Sequence, residues 1–277
     1  MSTVIRTLVG LKLGSTLIPI QSKGDEQNNE WLKLYATSSI RYDLVALTKR
    51  MPVLTFETNA VKTLLTALSN DIYKVDDIEF YEGSFSETPS NGYYFSTTGV
   101  LKGSAKDAVV FIDEISGDIN EPLSSSFKVR GASITYDDEY ELQNFTITHG
   151  SVHTIKSLTF NSNTIGLRSF RLSTNIDFYD YYENSIDPTM SAIKGVDIQA
   201  TATILIDHYS LISEITTLTD FVINLNKYQA GGLPQVSGGT ITLKNCVVTA
   251  DSKRSAIGDV STVDIVMYPE SITFGLS

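Results

Sequence analysis

The sequence predicts a mainly β fold of two tandem units, each with one amphipathic α-helix. Three observations predict it. Short segments recur in the same order in both halves, apolar residues alternate along much of the chain, and each half carries one stretch of helical spacing.

The recurrence comes in four pairs. Ile5-Arg6-Thr7-Leu8 is echoed by Ile155-Lys156-Ser157-Leu158, 150 residues on, and Thr16-Leu17 by Thr164-Ile165, 148 on. Leu47-Thr48-Lys49-Arg50-Met51-Pro52-Val53 is echoed by Ala192-Ile193-Lys194-Gly195-Val196-Asp197-Ile198, 145 on, and Ser133-Ile134-Thr135-Tyr136 by Ser271-Ile272-Thr273-Phe274, 138 on. The offset falls steadily, as small deletions in a second copy would cause, and chance gives no reason for the shared order. This places a first unit at 1–140 and a second at 150–277, with a boundary near 137–150.

Within the first unit, alternation over Val53–Glu57 gives way to Val61, Leu64, Leu65 and Leu68, one apolar helix face that Thr58 or Asn59 can cap. In the second unit Phe170, Leu172, Ile176 and Phe178 alternate with polar residues. Ile198, Ala200, Ala202, Ile204 and Ile206 do the same, as half-buried strands require. Asp207 then offers a cap to a helix carrying Leu211, Ile212, Ile215 and Leu218. Strands resume at Ile241 and Leu243 and close with Val263, Ile265 and Met267. Gly231-Gly232 and Gly238-Gly239 around Pro234 predict a mobile loop or hairpin tip, and Gly83 through Gly92 predicts its counterpart in the first unit.

A chain of 277 residues can bury a sizeable core. Its 42% hydrophobic content and mean hydropathy of −0.01 fit a globular protein. A net charge of −11 argues against a broad phosphate-neutralising surface. The single cysteine, Cys246, excludes an intrachain disulfide and lies in an apolar run, so an inert buried thiol is expected. The segment from Met1 to Gly14 lacks a signal-peptide core, and no stretch reaches membrane-spanning length, so no membrane partner is expected.

No residues assemble into a reaction centre, so no catalytic, cofactor-binding or metal site is expected. His149 and His153 have i, i+4 spacing but fall in an expected boundary loop, with Gly150 where a zinc protease needs Glu. His208 reads as a surface residue. Asp137-Asp138-Glu139-Tyr140-Glu141 lacks the register of a calcium loop and reads as a solvated turn, as does Asp76-Asp77. The Gly-x-Ser-x-Gly elbow and the phosphate-cradling loop are both missing. Phe178, Tyr179, Tyr181 and Tyr182 suit either a sugar-stacking platform or an interface.

The order strands, helix, strands in each half, the late segment Gly239-Thr240-Ile241-Thr242-Leu243-Lys244-Asn245-Cys246-Val247-Val248-Thr249 and the closing Gly258-Asp259-Val260-Ser261-Thr262-Val263-Asp264-Ile265 resemble the tail-tube (major tail) proteins of long-tailed bacteriophages. The two-copy arrangement is similar to tube proteins that carry two tube domains in one chain. The resemblance implies that each unit is a β-sandwich or half-barrel with its helix flanking it on the outside, in a virion structural protein, assembled in the host cytoplasm, whose sheet edges pair into a ring. Three chains would give pseudo-sixfold symmetry, or six chains a ring of six, and the rings would stack. Its partners would be itself, other tail proteins, and DNA that slides through an acidic lumen without sequence-specific binding. Gly83, Pro89, Asn91 and Gly92 in one expected loop, and Tyr179, Tyr181, Tyr182 and Pro188 in the other, are then the candidate ring-to-ring contacts. The alternatives are a carbohydrate- or receptor-binding β-sandwich of a tail or baseplate, and another virion protein such as a tail terminator or capsid decoration protein.

Overall fold

The computed structural model describes residues 6–35, 42–90, 93–96, 98–131, 134–142, 150–183, 188, 190–213, 215–228, 234–254 and 261–277; of Arg6, Thr7, 25–35, 42–52, 85–90, 93–95, Met190, 234–235 and 250–254 it describes the backbone path. The chain is mainly β. The first half runs β1 (Arg6–Leu13), β2 (Thr16–Ile18), β3 (Ser22–Tyr35), β4 (Tyr42–Thr58), α1 (Val61–Ala67), β5 (Tyr73–Ser90), β6 (Tyr93–Phe95), β7 (Val100–Asp118), β8 (Ser124–Arg130) and β9 (Thr135–Tyr140). The second runs β10 (His153–Phe160), β11 (Asn163–Tyr181), β12 (Met190–Leu205), a 3-10 turn (Ile206–His208), α2 (Tyr209–Ser213), β13 (Thr219–Tyr228), β14 (Pro234–Arg254), β15 (Thr262–Tyr268) and β16 (Ser271–Leu276).

In the second half β10, β13, β14, β15, β12 and β11 pair in that order, and β10 pairs back to β11, closing a six-stranded barrel. The first half follows the same path through β1, β5, β7, β8, β4 and β3. Its sixth strand is interrupted at Pro19: β2 pairs with β1, and β3 continues against β4. The Gln21 N–H donated to the Glu57 carbonyl (2.8 Å) and the Thr58 hydroxyl donated to the Pro19 carbonyl (2.5 Å) hold the break against β4. β9 adds to β7 as β16 adds to β14. Seven ladders of the first half thus have counterparts in the second.

Irregularities repeat with the ladders. The bulge between Leu8 and Gly10 matches that between Ile155 and Ser157, and the shift between Asp76 and Ile78 matches that between Thr219 and Phe221. The break between Ile112 and Glu114 matches that between Ala250 and Ser252, and Glu30/Trp31 opposite Lys49/Leu47 matches Asp177/Phe178 opposite Gly195/Ile193. A bulge bends a strand and raises its twist, so matched bulges give matched barrels. These registers set the offset at 147 for β1–β3, 146 for β4, 143 for β5 and 138 for β7–β9. The expected series of 150, 148, 145 and 138 is therefore corrected in its first three members.

One apolar core runs through both barrels, with Phe56, Phe80 and Phe127 in the first and Phe160, Phe170 and Phe221 in the second. Phe56 stacks on Phe127 with centroids 5.5 Å apart, and Phe160 lies 5.3 Å from Phe221. The helices are short lids. α1 buries Val61, Leu64 and Leu65, and the Thr58 hydroxyl accepts the Ala60 N–H at 3.0 Å. The second segment departs further from expectation. Asp207 makes no capping bond, Ile212 is the buried residue of α2, and Leu218 is exposed.

The expected loops are strand over much of their described length, while Asn91, Gly92, Gly231 and Gly232 lie outside the described residues. Gly83 is buried within β5 opposite Thr7, and Pro89 lies further along β5. Gly238 and Gly239 lie inside β14, where a Cβ on Gly239 would meet the Gly275 carbonyl oxygen at 2.0 Å. Gly238 and Gly239 serve close strand approach, which composition alone does not separate from a loop. The acidic run Asp137–Tyr140 belongs to β9, because its exposed side chains leave the backbone free to pair with β7.

Candidate assembly interface

The two barrels meet along one seam. On β7, Glu114–Asp118 pair with Ser173–Ser169 of β11 in an antiparallel ladder that belongs to neither barrel's own closure. The seam continues where the Ile119 N–H bonds the Arg168 carbonyl (2.8 Å), the Leu123 N–H bonds the His153 carbonyl (2.7 Å), and the Tyr228 hydroxyl bonds the Asn120 carbonyl (2.7 Å). Glu114 and Arg171 form an ion pair across it at 2.5 Å. Arg171 is largely exposed, so this pair sets register more than stability. A polar cleft of about 440 Å³ opens beside the seam, walled by Asp118, Glu121, Arg171, Thr203 and Asp264.

A projecting hairpin arm strengthens the contact. Beyond the barrel β11 and β12 continue as a ladder from Thr174–Ile198 to Tyr181–Met190. This arm of the second unit lies on the β7–β8 face of the first. Ile176, Phe178, Ile193 and Val196 pack with Val109 and Phe111, and the Phe111 and Phe178 rings are 5.7 Å apart. The Arg130 guanidinium sits 4.1 Å from the Phe178 ring centre and pairs with Asp180, both charged side chains being mostly buried. Thr174 donates its hydroxyl to the Ile112 carbonyl. Buried apolar contact supplies attraction, while the paired charges fix one register.

The candidate contact residues fall in several places. Tyr179 and Tyr181 sit on the arm and are 59% and 46% exposed, Tyr182 follows half-buried, and Pro188 is buried. The expected loop from Tyr179 is therefore strand up to Tyr181. Gly83 and Pro89 belong to β5, away from this arm, and Asn91 and Gly92 lie outside the described residues. Sequence reasoning missed Arg130, Asp180, Val109 and Glu114. Their signal is weak, since a lone Arg at a strand end reads as surface until the arm covers it.

Titratable groups elsewhere serve structure. Cys246 is buried, and burial, then the nearby Asp220 charge, pushes its thiol up to about 12, so it is inert at neutral pH. His153 is not in a boundary loop; it is buried in β10, 3.2 Å from the Ser277 carbonyl, and burial lowers its pKa. His149 lies outside the described residues. Burial opposes ionisation of Glu79, yet Lys102 at 2.5 Å and the Tyr81 hydroxyl at 2.6 Å outweigh it and hold the carboxyl below its usual range. Asp76 is lowered by its bond to Lys74. Among the described residues no three His, Cys, Asp or Glu side chains gather as metal ligands, and no helix is long and apolar enough to cross a membrane. No protein-family model matches the chain, and the search of curated proteins found no match.

Proposed function

We propose that this chain arose by internal duplication and is a structural virion protein, assembling into rings that stack as a phage tail tube through which DNA passes. The observation that carries the reading is the β7·β11 seam. One barrel is joined to its equivalent by strand pairing inside a single chain, and a ring of barrels would repeat a contact of this kind. A closed barrel leaves few free edges, and a ring of barrels would use the remaining ones. A net charge of −11 keeps a DNA conduit from trapping its cargo. Rings of three chains would carry six barrels. Negative-stain microscopy of the purified chain tests this: rings or tubes of constant diameter are expected, and a monodisperse monomer at every salt concentration overturns it.

A carbohydrate- or receptor-binding role is the second reading, favoured by the exposure of Tyr179 and Tyr181 on one arm. Glycan-array binding that is lost in Tyr181→Ala would support it over the tube.

A further inference from the structure

The repeated registers allow every residue of the internal seam to be mapped onto the rest of the chain, and the map leads to two unfilled surfaces. The β7 segment Glu114–Ser116 corresponds to Ser252–Arg254 of β14, through the shared breaks after Ile112 and Ala250. The β11 segment Ser173–Arg171 corresponds to Glu26–Gly24 of β3, through the shared bulges before Phe178 and Trp31. Among the described residues Ser252–Arg254 pair with β15 alone, and β3 pairs with β4 alone. Among the described residues each strand therefore has one edge without a ladder partner where its counterpart is paired.

The landing face for the arm maps in the same way. Val109 and Arg130 are ladder partners under the arm of the second unit; their counterparts Val247 and Tyr268 are ladder partners too. Val109 is 6% exposed, whereas Val247 is 54% and Tyr268 47% exposed. Exposed apolar residues where the equivalent face is covered mark a missing cover. Tyr268 also borders a groove of about 580 Å³ with Val196, Ile198 and Pro269. The counterpart of the covering arm is the β3–β4 hairpin, with Trp31 at the position of Phe178 and Leu47 at that of Ile193. Trp31 is the chain's single tryptophan.

We infer that the open flank of the second barrel receives the first barrel of another copy of this chain, β14 pairing with β3 and the β3–β4 arm covering Val247 and Tyr268. In register, Arg254 falls opposite Gly24, Lys253 opposite Asp25 and Ser252 opposite Glu26. Charge supports this partner and this order. The internal seam has acids on β7 (Glu114, Asp118) and bases on β11 (Arg168, Arg171), while the open edges carry bases on β14 (Lys253, Arg254) and acids on β3 (Asp25, Glu26). The polarity is inverted. Pairing β14 with another copy's β11 sets base against base, and pairing β7 with β3 sets acid against acid. Only the second barrel of one copy meeting the first barrel of the next satisfies both edges, and that contact is heterologous.

The inference rests on the reading that the chain assembles with itself, but it can fail separately from the tube. Three measurements on the full chain test it. First, Gly24→Cys with Arg254→Cys, and the adjacent pair Asp25→Cys with Lys253→Cys, are oxidised and run on a non-reducing gel. One pair is expected to give a ladder of linked chains that each single-cysteine variant does not. Second, Lys253→Glu with Arg254→Glu raises the concentration needed for assembly at least about tenfold in light scattering, and adding Asp25→Lys with Glu26→Lys to the same chain restores it. Third, Trp31 emission shifts to the blue on assembly, and Tyr268→Asp abolishes the shift. Tubes that form with neither cross-linking nor a charge effect overturn the inference and leave the tube standing. Linked, charge-dependent oligomers that never stack support the inference and sink the tube. A monomer that neither cross-links nor responds to charge overturns both.

Discussion

Asp107 and Asn245, 138 residues apart, hold the same left-handed backbone, with φ of +47° and +50°. Each gives its N–H to an aspartate carboxylate on the adjoining strand, Asp77 at 3.0 Å and Asp220 at 2.9 Å. Short polar side chains tolerate this conformation. Asn245→Gly is expected to leave stability within a few tenths of a kcal/mol, whereas Asn245→Ala costs about 1 kcal/mol. Urea-unfolding midpoints at constant slope check both.

Gly103 lies under the Phe80 ring, where a Cβ would come within 2.0 Å of Cζ. Phe80 is fully buried and cannot withdraw. Gly103→Ala should therefore destabilise by about 1–3 kcal/mol. Combining it with Phe80→Leu should cost less than the two changes added, and a double-mutant cycle by thermal unfolding measures that coupling.

An ion pair between β8 and the β11–β12 arm and one within the arm should behave differently. Arg130 and Asp180 are mostly buried, so Arg130→Ala leaves a carboxylate without its guanidinium and costs about 3 kcal/mol. Lys194 and Asp177, 2.9 Å apart, are more than half exposed, and Lys194→Ala should cost under about 0.5 kcal/mol. Denaturant titration separates the cases, and proteolysis near Tyr181 should quicken in Arg130→Ala alone.

Acid should weaken the fold in two windows. His153 has a folded pKa below its usual 6.5, so the folded chain binds fewer protons than the unfolded one, and stability falls once pH drops below about 6.5. Glu79 has a folded pKa below 4.5, so its contribution is present above that value and is lost further into acid. The melting temperature of His153→Gln should be flatter than that of the parent between pH 7 and 5.

How much of this was readable beforehand depends on where the two halves keep the same residue types. Ser133–Tyr136 and Ser271–Phe274 match in sequence, and Tyr136 and Phe274 occupy equivalent ladder positions, opposite Gly103 and Ile241. The earlier pairs drift by one to three residues, because many equivalent positions differ in type: Ala105 against Leu243, Tyr81 against Asn224, Phe178 against Trp31. What repeats there is backbone, in bulges and registers, and a strand slipped by one residue presents its other face with the same alternation. The seam was illegible for a related reason. Glu114 and Arg171 read as ordinary outward charges until β7 and β11 are brought together.

The internal seam also sets a parity. Each chain supplies its barrels two at a time, so any closed ring contains an even number of them. The two barrels share a path but differ in side chains, so such a ring repeats chemically at twice its geometric spacing. A partner that docks on one kind of barrel finds half as many addresses as there are barrels, evenly spaced around the rim.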